Sequence, residues 1–240
     1  MATKLFTQEM REATKTIHNM SDALVNIKLG VSISNPEVWA EGLMVFYEIF
    51  RALEQAMEDH KDSLIGEFDL PGLRRAEAFE ADLAFYFGDH WRQTYEIRPE
   101  VAQYLAHLKR LEDENPYLLI AYIYHLYMGL LSGGQLLKSK KDFFKSGKTA
   151  TQDAGDAVTY FKDVSIASLK KRMKEIANTV AKDLDDETRK QILQEGVQVF
   201  KLNNTIIKSV RGVNDIFYKR VGICLAILCI ILLLIRFIFF

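Results

Sequence analysis

The stretch that most limits what this chain can become is its last one, Val221 to Phe240, which reads VGICLAILCIILLLIRFIFF and is apolar except for Arg236. A helix rises 1.5 Å per residue, so about twenty such residues match a hydrocarbon core roughly 30 Å thick. Arg236 stands near the far end, where a long side chain reaches the interface, and Lys219 and Arg220 flank the near end as charges that stay cytosolic. A run like this becomes either a membrane span or a buried core helix, and the absence of any polar face favours the span. Almost nothing follows it, so the folded part is expected ahead of it, facing the cytosol. The expected organisation is one domain over residues 1–205, a polar juxtamembrane connector over 206–220 and a transmembrane anchor over 221–240.

Ahead of the tail, strand-like alternation of Val, Ile and Thr is scarce. Leu, Ala, Glu, Lys and Met recur at helical spacing, and there are four prolines in 240 residues. This predicts an all-α fold, in a segment long enough for one core. Both cysteines, Cys224 and Cys229, lie in the tail, so no disulfide or CxxC site serves the domain, and a reducing compartment fits. The N-terminal MATKLFTQEMREATK lacks the apolar core of a secretion signal. Charges of both signs are interspersed, with a formal net charge of −1. No basic stripe tracks a phosphate backbone, which argues against nucleic acid as a partner.

Punctuation divides the domain. Thr7 caps a helix running towards Val25. Asn35-Pro36 opens a second, with Trp39, Leu43, Phe46, Ile49, Phe50 and Leu53 along one side. Further helices are expected over Leu73–Phe87 (stopped by Gly88), Glu100–Glu112 (after Pro99), Asn115-Pro116 through Leu137, Ala157–Lys182 and Asp186–Val210. The polar stretch Lys138–Asp156 reads as a loop.

Two segments carry chemistry. In REATKTIHNMSD, Arg11, Lys15, His18 and Asp22 follow an i, i+4, i+7, i+11 pattern and share one helix face. That face is either a solvated surface with an incidental histidine or a heme-binding one. A heme needs an axial nitrogen, cations for its propionates and an acceptor for the imidazole N–H. In YLLIAYIYHLYMGLLSGGQLL, an apolar run is broken by Gly129, Gly133 and Gly134. Each interior glycine costs roughly 0.5–1 kcal/mol against alanine, so the helix bends there, admits a neighbouring helix, or lets a flat ligand approach its backbone.

REATKTIHNMSD resembles the proximal-helix motif of the heme oxygenases, and YMGLLSGGQLLK resembles their glycine-rich distal helix. FYEIFRALEQAME and FEADLAFYFG look like further blocks of that family, with weaker ones at LKKRM (Leu169–Met173) and FKLNN (Phe200–Asn204). The resemblance spans about Thr7 to Asn204 and, with the tail, is to the microsomal, tail-anchored type, an invertebrate member being the expectation. It implies a single multi-helix heme-oxygenase-like domain holding heme b between its first and its glycine-containing helix. His18 is then the iron ligand and Asp22 orients it. Arg11, Lys15, Tyr124 and Lys170 fall at propionate-binding positions, and Gly129, Gly133 and Gly134, with Leu130, line the oxygen side. The implied reaction is cleavage of heme to biliverdin, carbon monoxide and ferrous iron. Its co-reactants are O2 and electrons from an NADPH–cytochrome P450 reductase type of donor, at the endoplasmic reticulum membrane.

Two positions depart from the family. An aspartate usually follows the first distal glycine and holds water there; here it is Leu130, which implies slower turnover or mixed biliverdin isomers. A second basic position is Ile166. A heme-binding sensor or carrier with impaired turnover is therefore the alternative. His125, one turn before Gly129, is either a distal-side group or a packed core histidine, while His60, His90 and His107 are expected at the surface. A di-iron site is excluded, because no histidine has a carboxylate three residues before it. Sustained heptads, which a tail-anchored fusion protein would need, are missing.

Overall fold

Helices form wherever apolar residues recur at helical spacing, and their ends show how distant side chains adjust the pattern. The computed structural model describes residues 4–29, 35–144 and 155–239, and every element among them is helical. Helix α1 (Phe6–Leu29) takes Thr7 inside it instead of as its cap; the Thr7 N–H donates to Asn178 Oδ1 at 3.0 Å, so the orphan donor is satisfied from a distant helix. Helix α2 (Pro36–Asp59) starts as expected, with Asn35 Oδ1 accepting the N–H groups of Glu37 and Val38 at 2.8 and 3.1 Å. Its Trp39, Leu43, Ile49, Phe50 and Leu53 are buried.

Helix α3 (Ala76–Phe87) starts later than Leu73 because the Glu54 carboxylate, reaching from α2, takes the N–H groups of Arg75 and Ala76. The same carboxylate accepts the Tyr127 hydroxyl at 2.9 Å. The helix stops at Gly88, whose φ of +85° a side chain would resist. Short α4 (Trp91–Thr94) and α5 (Pro99–Glu114) follow.

The long apolar stretch is divided. After a 3-10 turn at Pro116–Leu118, α6 (Leu119–Gly129) is almost wholly buried on its N-terminal side. A π turn over Leu130–Gly134 then leads into α7 (Gln135–Phe144). The expected loop therefore starts later than Lys138, and residues 145–154 lie outside the described set. Its polar composition misled because Lys141 is buried: it pairs with Asp156 and stands 4.2 Å above the Trp39 ring. Helix α8 (Ile166–Val180) and helix α9 (Asp186–Lys208, capped by Asp185 on Thr188 N–H at 2.8 Å) complete the bundle.

The core runs between α2, α5, α6 and α9, with Leu53, Met57, Tyr104, Tyr122 and Ile192 sealed from solvent. Burying a large apolar side chain contributes roughly 1.5–3 kcal/mol, against about 0–1 for an exposed ion pair such as Arg110–Glu114. Apolar burial therefore holds the bundle. Helix α9 is its support: α1 packs along one side of it and α6 along another.

Within the polar connector expected over 206–220, the chain makes a tight turn between the end of α9 at Lys208 and the next helix. Arg98 donates to the Ser209 carbonyl and pairs with Glu41, which also accepts the Arg211 N–H at 3.2 Å. Val210 and Val213 are buried, and α10 (Val213–Phe239) begins there. Among the described residues no helix is long and apolar enough to cross a membrane, so the span expected over 221–240 is not met there; many side chains of that stretch lie outside the described set.

Candidate functional site

The helical spacing on α1 brings Arg11, Lys15, His18 and Asp22 to one exposed face. The His18 side chain is 52% exposed and its Nδ1 lies 3.1 Å from the Asp22 carboxylate. An N–H on Nδ1 donated to that carboxylate leaves the lone pair on Nε2, the state in which an imidazole binds a metal.

His18 also meets the Phe200 ring of α9 edge-on, with centroids 5.2 Å apart. The same ring is met by His125 of α6 at 5.3 Å. Gly129 follows His125 by one turn on the same face, and Gly133 lies beyond it in the π turn. A methyl group in place of the hydrogen of either glycine would meet no neighbouring atom within 4 Å, so this face is bare backbone. His18 of α1 and His125 of α6 thus meet one shared ring, with Gly129 one turn beyond His125.

The third glycine has a different role. A Cβ at Gly134 would stand 2.9 Å from Leu130 Cδ1, so Leu130 is folded over Gly134 through the π turn. Helical turns of this wider type recur at functional sites, because the extra residue redirects the side chains that follow.

Tyr124 is buried, which pushes its phenol up to about 12, and its ring stands edge-on to His125 at 5.5 Å. Lys170 is half-buried on α8, a helix packed against α1 and hence beside the one that carries Arg11 and Lys15. Ile166 opens α8 and packs partly on the core, adding no charge. The donor set fits a heme: one oriented imidazole, a bare face of glycine backbone, and cations on neighbouring helices.

Three residues carry geometry that the pattern of the sequence did not show. Phe200 bridges the two histidines. Gly196 of α9 admits His125, since a Cβ there would lie 3.0 Å from His125 Nε2 and 3.2 Å from Thr14 Cγ2. Thr14, buried one turn before His18, closes that corner. His125 itself is the packed alternative: its Nε2 is buried without a hydrogen-bond partner, and burial, then the charge of His18, lowers its pKa to about 4. His107 is not a surface residue as expected. Its Nε2 lies 2.7 Å from the Tyr122 hydroxyl and 3.0 Å from Glu195, in an interhelical polar cluster. His60 is likewise half-buried and paired with Glu112 at 3.2 Å, whereas His90 is exposed.

A sequence model of the family described as "Heme oxygenase" matches residues 4–209. The chain is 29% identical over 219 residues to heme oxygenase 2 of Synechocystis, covering 90% of this chain and 85% of that protein. Among solved structures, heme oxygenase 2 from Chlamydomonas reinhardtii without heme superposes with a TM-score of 0.79 at 29% identity, over 86% of this chain and 98% of that one. Heme oxygenase-1 from Synechocystis in complex with heme gives 0.79 at 26% identity, over 92% and 98%.

The low pKa of His125 has a measurable consequence. The fold favours its neutral form, with a pKa of about 4 against the ordinary 6.5, so the unfolded chain takes the extra proton first. The contribution to stability is complete above about pH 6.5, is lost as the pH falls through 4, and has dropped by about 2 kcal/mol at pH 5. Urea unfolding at pH 7 and pH 5 should show a smaller drop for His125→Leu than for the unaltered protein, by about that amount. Equal drops in the two proteins would remove His125 as the source.

Proposed function

The chain belongs to the heme oxygenase family, and from that premise we propose that it binds heme as substrate and cleaves it to biliverdin, carbon monoxide and ferrous iron. The observation that carries this reading is that His18 and His125 meet on Phe200, with the bare backbone of Gly129 one turn beyond His125. O2 and electrons from an NADPH–cytochrome P450 reductase type of donor are the co-reactants.

In this reading His18 Nε2 binds the iron while Asp22 holds Nδ1–H and keeps the ring from turning. Arg11, Lys15, Lys170 and Tyr124 secure the two propionates, the first three by charge and Tyr124 by its neutral hydroxyl. Gly129 and Gly133 would leave room for a small molecule beside bound heme, since a side chain at either position would project into open space. Bound heme supplies the redox chemistry through its iron, and the protein supplies orientation and exclusion of bulk water. Leu130, turned onto Gly134, offers no polar atom to hold water on that side, which supports looser control of the site of cleavage. The same residue favours the second reading, a heme-binding sensor or carrier with impaired turnover.

The tail completes the proposal. The composition of 221–240 and the flanking Lys219 and Arg220 support a microsomal, tail-anchored protein, its domain of residues 1–205 facing the cytosol from the endoplasmic reticulum.

His18→Ala should abolish the axial-nitrogen signature of the ferric heme complex, with partial recovery on adding imidazole; an unchanged spectrum would move the ligand elsewhere. Supplied with hemin, reductase and NADPH, the protein should release biliverdin and carbon monoxide, and heme binding without either product would leave the sensor reading. Leu130→Asp should raise the biliverdin yield or narrow its isomers, whereas no change would mean that other groups organise water there. The full chain should resist alkaline extraction from membranes and a chain truncated after Lys219 should not; release of both would refute the anchor.

A further inference from the structure

Four rings from three helices stand in a run of edge contacts: Tyr124 against His125 at 5.5 Å, His125 against Phe200 at 5.3 Å, and Phe200 against His18 at 5.2 Å. Edge-to-face rings constrain one another's angle, because the positive edge of one seeks the negative face of the next. His125 is the member whose inner nitrogen is held by packing and by no hydrogen bond. That nitrogen, Nε2, fits against α9 because residue 196 has no side chain. An apolar residue would fill that corner without stranding a nitrogen. Gly196 also interrupts the middle of α9, where glycine weakens a helix. Both departures from the most stable choice serve one thing, an aromatic face presented to Phe200.

We propose that His125 is a positioning residue for the iron-binding imidazole: acting through Phe200, it sets the angle at which the His18 ring meets heme, and Gly196 is the space that admits it. The proposal rests on His18 being the ligand. The angle of an axial imidazole about its bond to iron governs the spread of the low-spin ferric resonance signal, and a well-held ring gives a narrow iron–nitrogen stretching band in the ferrous complex. Neither signature responds to bundle stability as such.

The test compares heme complexes of the full chain in detergent by paramagnetic resonance and resonance Raman. His18→Ala comes first: loss of the iron–nitrogen band establishes the ligand, and its persistence overturns that reading and this proposal with it. With the ligand established, His125→Ala should broaden or shift the band and speed heme loss about two- to tenfold. His125→Phe, which keeps an aromatic face, should restore both. Gly196→Ala, whose Cβ would stand 3.0 Å from the His125 nitrogen and press on it, should move the band in the direction of His125→Ala. If His125→Ala does not fold, His125→Leu makes the same comparison with the volume kept. A band of unchanged position and width in the alanine or leucine variant, or no recovery with phenylalanine, would overturn the proposal.

Discussion

Everything in the site depends on how closely two helices approach a third. Helix α9 presents Ile192, Gly196 and Val199 as a buried stripe, and both α1 and α6 are packed against it. With no side chain at 196, Thr14 of α1 and His125 of α6 reach the same spot on its surface. The distance between the imidazole of α1 and the bare backbone of α6 is therefore set by three rigid elements and not by loops, which is how a constellation is held to within a fraction of an ångström.

The three glycines near the middle of the distal stretch divide their work. Gly129 and Gly133 leave open space, and Gly134 accommodates a neighbour of its own chain, Leu130. Spacing alone does not separate these roles, because a π turn intervenes and changes which residues align. The turn is bordered on both sides by fixed structure: α6 is buried, and α7 is tied down through Gln135 to the Thr159 carbonyl at 2.8 Å and through Lys141 to Asp156. The irregularity is thus confined to Leu130–Gly134.

Much of this was legible in the residues. Periodicity placed the helices, Asn35-Pro36 and Gly88 marked their ends, and the i, i+4 spacing of His18 and Asp22 is a contact of 3.1 Å. What escaped was long-range. Glu54 caps α3 from a different helix and Asn178 satisfies the start of α1, and no local pattern announces either. Lys141 reads as a surface cation until Trp39, Tyr86 and Asp156 are seen around it. His107 reads as exposed until Tyr122 and Glu195 are brought to it by folding. Phe200 lies far along the chain from His18, so their contact has no signature in spacing. Gly196 did leave a trace, as a lone glycine inside an otherwise regular helix, a place where close approach is the usual reason.

Arg98 has a practical bearing on where this protein can be cut. Its guanidinium bridges the Ser209 carbonyl and the Glu41 carboxylate, and Glu41 in turn receives the Arg211 N–H. A fragment ending with α9 at Lys208 would strip both partners of their backbone mates and leave a largely buried ion pair at a fraying end. Among the described residues of that stretch Ile216 is the last side chain to pack against the core, so a stop codon belongs beyond it, and shorter fragments would forfeit solubility and lifetime for reasons unrelated to any membrane.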